Sequence, residues 1–238
     1  MPYQPFDYST VEHRPWPLLQ RISRRILVLV LRLLIRLEVE GMENIPRMGS
    51  FVLAANHLHM LDPAIGLLLV PRRMVGIVKD KWQKPPFNWL LAGMSDIIFV
   101  GQTNRHGLLE AVKTLQAGGV VAILPEGTRS RTGALRKGQP GVALLATHAP
   151  APVLPAASFG QEQAAQYWKK LRRVPVRVRI GSLIELPEGK AEKEQLQAYT
   201  DQVMIALARL LPPEYRGVYA ELARVQVGKS GIVKGGSP

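Results

Sequence analysis

Residues 50–63 read Ser50-Phe51-Val52-Leu53-Ala54-Ala55-Asn56-His57-Leu58-His59-Met60-Leu61-Asp62-Pro63. Ser50 to Ala55 is a short apolar run of the kind that forms a buried strand. Asn56 to Leu61 reads as a loop. Asp62-Pro63 has the chemistry of a helix N-cap followed by proline at the first helical position, so a helix is expected from about Pro63 to Leu69. Strand, loop and helix in that order begin an alternating α/β pattern.

The pattern continues outward. Further apolar strands are expected at Met74 to Val78, Ile97 to Val100, Val120 to Leu124 and Val153 to Ala157, with helical stretches at Gly107 to Gln116 and Gly138 to His148. Val176, Val178 and Ile180 alternate with Arg177 and Arg179, which predicts a strand with one basic exposed face. Glu192 to Leu211 reads as a helix stopped by Pro212-Pro213. The fold class is therefore α/β, a mixed, largely parallel sheet flanked by helices. We expect an N-terminal segment at 1–37, one main domain at 38–225 and a Gly-, Ser- and Lys-rich tail at 226–238.

The chain has 238 residues, with 31 Lys plus Arg against 18 Asp plus Glu and a formal net charge of +13. That excess suits a partner rich in phosphate or anionic headgroups. There is no cysteine, which excludes disulfides, thiolate metal sites and a Cys nucleophile. Aromatic residues make up 6%, too few for the base-stacking surface of a nucleic-acid module, so nucleic acid is not the expected partner. Met1 to Thr10 is polar and aromatic, unlike a secretory leader, which places the protein on the cytoplasmic side.

Leu18 to Leu37 is rich in Leu, Ile and Val, and a helix there carries Arg21, Arg24, Arg25, Arg32 and Arg36 within about 120° of one face. Its uninterrupted apolar stretch, Ile26 to Leu31, covers only about 9 Å against a hydrocarbon core of about 30 Å. Spanning a bilayer would carry arginines inward at roughly 2.5–3.5 kcal/mol each. The expected arrangement is an interfacial helix, aliphatic face in the acyl chains and arginines among membrane phospholipid phosphates, peripheral or monotopic on the cytoplasmic face. The competing reading is an amphipathic helix that covers the protein's own core.

Two clusters follow predicted strands, where open α/β sheets place their sites. In the first, a neutral imidazole at His57 suits the removal of a hydroxyl proton, and Asp62 can turn back from the helix start to fix its tautomer. The second is Leu124-Pro125-Glu126-Gly127-Thr128-Arg129-Ser130-Arg131-Thr132-Gly133. A glycine turn lets backbone amides approach an anion, and Arg129 offers a planar fork for phosphate. Glu126 either accepts a hydrogen bond from a hydroxyl of the ligand or orders the loop.

Taken together, Asn56-His57 with Asp62, and Pro125-Glu126-Gly127-Thr128-Arg129-Ser130 downstream, resemble the 1-acyl-sn-glycerol-3-phosphate acyltransferase family, with its His-x-x-x-x-Asp and Pro-Glu-Gly-Thr-Arg-Ser motifs. Gly41-Met42-Glu43-Asn44-Ile45-Pro46 and Pro152-Val153-Leu154-Pro155 extend the resemblance to roughly half the chain. It implies that His57 is the general base and Asp62 its partner. Glu126, Gly127, Thr128 and Arg129 would bind the glycerol-phosphate end of a lysophospholipid acceptor, with acyl-CoA or acyl carrier protein as donor. No metal or redox cofactor is implied. The family's second motif carries an arginine where Phe99-Val100-Gly101-Gln102 has glutamine; Arg105 or His106 is the nearby candidate for phosphate.

Other readings make different demands. A metal site built from His57, His59 and Asp62 lacks a second ligand cluster in the sequence. A non-catalytic basic lipid-binding module explains the charge but not the order of the His, Asp and Glu-Gly-Thr-Arg clusters. Another lysolipid or a glycolipid with a free hydroxyl would use the same base. The stretch Lys81 to Gly93, with Trp82, Phe87 and Trp89, is expected either to line an acyl pocket or to touch the membrane.

Overall fold

The structure, a computed structural model, describes residues 17–84, 93–101 and 105–224. Its strands are β1 (Ile35–Glu40), β2 (Phe51–Ala55), β3 (Met74–Lys79), β4 (Asp96–Val100), β5 (Val120–Ile123), β6 (Val153–Phe159) and β7 (Val174–Ile180). The helices that matter below are α1 (Leu18–Leu34), α2 (Asp62–Leu69), α3 (Arg105–Gln116), α4 (Gly141–His148), α5 (Ala164–Trp168) and α6 (Lys193–Leu210). The strands form one sheet in the order β1-β7-β6-β2-β5-β3-β4. From β6 to β4 the neighbours are parallel. β7 runs antiparallel to β6, and β1 parallel to β7. The sheet is therefore mixed and largely parallel, as expected.

β2 lies at the centre because both of its faces are covered. Phe51 and Leu53 join the core that includes Ile65, Met74 and Val176, while Val52 and Ala54 join the opposite core with Val121, Val142 and Val203. An unbroken apolar run is what such a strand requires. The reversal of β7 and β1 also matters. Their first residues lie at the end of the sheet where β2, β5 and β6 finish, since Phe159 at the end of β6 pairs with Arg177.

The N-terminal helix is shorter than its arginine spacing implied. It stops at Leu34, and Ile35-Arg36-Leu37-Glu38-Val39-Glu40 forms the edge strand β1. Arg36 is thus not on the helix at all; its guanidinium pairs with Glu38 at 3.1 Å. The 37/38 boundary falls inside β1, and Ile35 is buried in the core. Arg177 and Arg179 do sit on the outer face of β7, where they pair with Glu38 and Glu40 of β1 at 3.2 and 3.1 Å.

α1 packs by one side only. Leu31 belongs to the core and Leu27 and Leu34 rest against it. Gln20 donates to Asp96 Oδ1 at 3.3 Å. Arg24 also faces inward, donating to Leu67 O at 2.7 Å and Val70 O at 3.5 Å at the end of α2. Burial lowers its pKa from the ordinary arginine value, and the contact spends its charge on helix-end carbonyls. Leu18, Leu19, Ile22, Ile26, Leu29 and Leu33 are exposed. On a helical wheel these six span about 100°, with Arg21, Arg25 and Arg32 on the adjoining flank. The helix does not spend its aliphatic stripe on covering the core. No helix among the described residues is long and apolar enough to cross a membrane.

Candidate active site

β2 is followed by Asn56, whose side chain is fully buried and reads the backbone of Ser158 in β6, donating to its carbonyl and accepting from its amide, both at 2.8 Å. This pair of hydrogen bonds to the neighbouring strand fixes where the chain leaves the sheet, one residue before His57. His57 Nδ1 lies 2.8 Å from Asp62 Oδ2, with the two side chains 17% and 2% exposed. A carboxylate oxygen in that position accepts, so Nδ1 carries the proton and Nε2 the lone pair.

Asp62 does more than face the histidine. Its Oδ2 also accepts the amides of Leu58 at 2.6 Å and His59 at 2.8 Å, and its Oδ1 accepts Gln161 Nε2 at 2.9 Å. The expected N-cap role is not observed: α2 begins at Asp62 itself, Leu61 holds the cap position, and no side-chain cap bond forms. The carboxylate is turned back into the Asn56–Leu61 loop, where its hydrogen bonds impose the loop's shape and leave the anion satisfied although buried.

The second cluster grips His57 by its main chain. Glu126 Oε1 accepts the His57 amide at 2.8 Å and Oε2 accepts the Arg136 amide at 3.0 Å. The Ser130 amide donates to the His57 carbonyl at 2.8 Å. Glu126 is 3% exposed, and burial pushes its carboxyl pKa up, against the lowering effect of those amides. Of the two roles open from sequence, the geometry gives Glu126 the ordering one. Gly127 has φ +66°, a conformation that favours glycine, and lets the loop turn between Glu126 and the exposed Thr128 and Arg129. Arg129 precedes the Ser130 amide that holds His57, and takes part in no ion pair among the described residues.

The far end of this loop is held by residues that the sequence did not mark. Tyr219, buried against α6, accepts the Gly138 amide at 3.0 Å and donates to Asp201 Oδ1 at 2.7 Å. A Cβ on Gly138 would lie 2.6 Å from Met204 Cγ, so the loop sits on α6 only as glycine. Leu135 exchanges backbone bonds with Tyr215 and Val218. Gln161 is likewise new as a functional part, and Asn56, quoted from sequence only beside His57, gains its role from its two bonds to Ser158. Polar type at the end of a buried strand was the signal for Asn56; Gln161 offered none.

His59 is a packed residue. Its Nδ1 accepts the Leu61 amide at 3.3 Å and its ring meets Trp168 edge-on at 6.5 Å. His57, His59 and Asp62 do not converge on one point, and no group of three or more His, Cys, Asp or Glu among the described residues is placed to hold a metal. Arg105 is the first residue of α3; its side chain, Gln102, Phe87, Trp89 and the tail at 226–238 lie outside the described residues. Lys81 Nζ stands 5.4 Å from the Trp82 ring on an exposed turn.

The His57–Asp62 pair, clamped by the Glu126-Gly127-Thr128-Arg129 loop, thus lies at the end of the sheet where β2, β5 and β6 finish. The acyltransferase family model matches residues 36–158, and the chain belongs to that family. Among its relatives, the 1-acyl-sn-glycerol-3-phosphate acyltransferase of Pseudomonas aeruginosa is 32% identical over 140 residues, 57% of this chain and 52% of that protein. The enzyme of the same name from Borreliella burgdorferi is 28% identical over 125 residues, 51% of this chain and 50% of that one. The chain thus spans about half the length of these relatives. The crystal structure of the 1-acyl-sn-glycerophosphate acyltransferase from Thermotoga maritima shares the fold, with a TM-score of 0.62, 24% identity, and coverage of 88% of this chain and 81% of that one.

Proposed function

We propose that this chain is a membrane-surface acyltransferase that moves a fatty acyl group from acyl-CoA or acyl carrier protein to the sn-2 hydroxyl of lysophosphatidic acid, giving phosphatidic acid. The observation that carries the reading is the 2.8 Å contact of His57 Nδ1 with Asp62, which leaves Nε2 as a base. In the step, Nε2 takes the acceptor's hydroxyl proton as its oxygen attacks the thioester carbonyl. The C–S bond then breaks and the thiol leaves with a proton returned from the imidazolium. No acyl-enzyme is required. Arg129, and Thr128 beside it, would bind the acceptor's phosphate, with Arg105 as a second cation. Relatives named for the same reaction support this assignment.

The exposed aliphatic stripe of α1 and its flank of Arg21, Arg25 and Arg32 suit an interfacial helix, aliphatic side in the acyl chains and cations at the phosphates. Arg24 is turned to the α2 carbonyls and Arg36 lies on β1, so the face proposed on the helix rests on Arg21, Arg25 and Arg32. A second acceptor, another lysolipid or a glycolipid, is favoured by one observation: Gln102 stands where the family carries arginine, and an amide cannot supply the missing charge.

The test is release of free thiol from long-chain acyl-CoA in detergent micelles, with and without lysophosphatidic acid, with the product identified by mass. His57→Ala should lower acceptor-dependent release by at least about a hundredfold. A variant of near-normal rate would remove His57 as the base. Release with other lysolipids but not with lysophosphatidic acid would move the assignment to the second acceptor class.

A further inference from the structure

The turn after α5 reads Lys169-Lys170-Leu171-Arg172-Arg173, four cations around one leucine. It closes α5 with two bonds, Leu171 N–H to Trp168 O at 2.9 Å and Arg172 N–H to Tyr167 O at 3.0 Å. That pattern places one residue in the left-handed region, where glycine is usual. Here the residue is Leu171, at φ 52°, the one non-glycine residue with positive φ among those described. Its side chain is 97% exposed. The backbone disfavours leucine here, and in water an exposed isobutyl group gains nothing in return.

Location gives the leucine a use. Trp168 Nε1 donates to Leu34 O and Arg173 Nε donates to Ile35 O, both at 3.0 Å. The turn is thereby fastened to the C-terminal end of α1, where Leu33 is exposed beside Arg32. Trp168 also meets the ring of His59, two residues after His57. The basic turn, the end of the aliphatic stripe and the His57 loop thus share one end of the sheet.

We propose that the Lys169–Arg173 turn is a second contact with an anionic lipid bilayer, its cations among the headgroup phosphates and Leu171 reaching past them toward the acyl chains. The inference rests on the reading of α1 as an interfacial helix and adds an anchor beside the catalytic loop. Charge complementarity alone would also admit an acidic protein. The apolar tip, on a turn fastened to the C-terminal end of α1, selects the bilayer. Paired with α1, it would hold the His57 end of the sheet against the surface from which a lipid acceptor must come.

Because the chain has no cysteine, the full-length Leu171→Cys protein carries a single thiol for an environment-sensitive fluorophore. The dye should shift to the blue on mixed phosphatidylcholine–phosphatidylglycerol vesicles and much less on phosphatidylcholine alone. The same dye on Lys190→Cys, an exposed position past the opposite end of β7, should not shift. Each of Lys169→Gln, Lys170→Gln and Arg172→Gln should weaken anionic-vesicle binding by about fivefold. Leu171→Gly, which suits the left-handed turn, should weaken binding with no loss of Tm. A silent dye on protein that still floats with the vesicles overturns the proposal and leaves α1 as the anchor. Failure of the unsubstituted protein to bind anionic vesicles overturns both readings. A dye that responds to acyl carrier protein but not to vesicles overturns it in favour of a protein partner.

Discussion

Gln161 Nε2 donates to Asp62 Oδ1 at 2.9 Å across 99 residues of sequence, and the same nitrogen donates to Ser158 Oγ at 2.8 Å. The buried amide therefore aims the carboxylate that in turn aims His57. Gln161→Leu removes a hydrogen bond to a charged group, an interaction worth about 1.5–3 kcal/mol, so kcat should fall by about ten- to a hundredfold. As a positioning effect it should leave the acceptor KM nearly unchanged and displace the pH profile of kcat, measured by thiol release. A loss confined to Tm, with kcat and its pH profile intact, would make Gln161 a packing residue only.

Glu126 supplies both acceptors for the amides of His57 and Arg136. Glu126→Gln presents an NH2 to one of them, leaving that donor unsatisfied at about 1–3 kcal/mol, and Tm should fall. The pH dependence has a definite sign. Burial raises the folded pKa above the ordinary value of 4.5, so between 4.5 and the folded value the native state binds more protons than the unfolded chain. Stability contributed by Glu126 is then present at low pH and declines as pH rises through that window. The stability advantage of the unsubstituted protein over Glu126→Gln should narrow from pH 4 upward, in denaturant melts across pH; a widening gap would contradict the burial effect.

Arg129→Ala should cost about ten- to a hundredfold in kcat/KM for a phosphate-bearing acceptor, the value of a charge-assisted hydrogen bond of about 1.5–3 kcal/mol. A phosphate-free acceptor should be spared. Equal losses for both acceptors would show that Arg129 shapes the loop and does not bind phosphate.

The outward stripe of α1 can be tested without uncovering the core, because Leu31 and Ile35, not the exposed residues, are buried there. Burying one such side chain is worth about 1.5–3 kcal/mol. The combined change Ile22→Gln, Ile26→Gln, Leu29→Gln and Leu33→Gln should therefore lower vesicle affinity by well over a hundredfold with Tm preserved. Undiminished flotation would remove this helix as the main anchor.

The strands were legible where burial on both faces demands an unbroken apolar run, as in β2 and β6. β1 was not, although Ile35-Arg36-Leu37-Glu38-Val39-Glu40 alternates with period two. It follows α1 without a turn, and Arg36 falls on the helical arginine spacing, so the helix pattern ran through its start. Only pairing with β7, more than 130 residues onward, makes the segment a strand. Arg24 likewise shares the spacing of Arg21 and Arg25, but the nearness of α2's last carbonyls turns it inward.

The sequence by itself determined the α/β class, because apolar run length is a local property, and it made the pairing of His57 with Asp62 possible, since a short loop separates residues five apart; the 2.8 Å contact is the structure's. It also determined the cation excess that points to an anionic surface. The tertiary structure decided what each remaining polar group is for. Whether Glu126 meets a ligand or the His57 amide, whether Asp62 caps a helix or a loop, and that Gln161 steers Asp62 depend on groups distant in sequence. A hydrogen bond reads only distance and direction, and strand order supplies both.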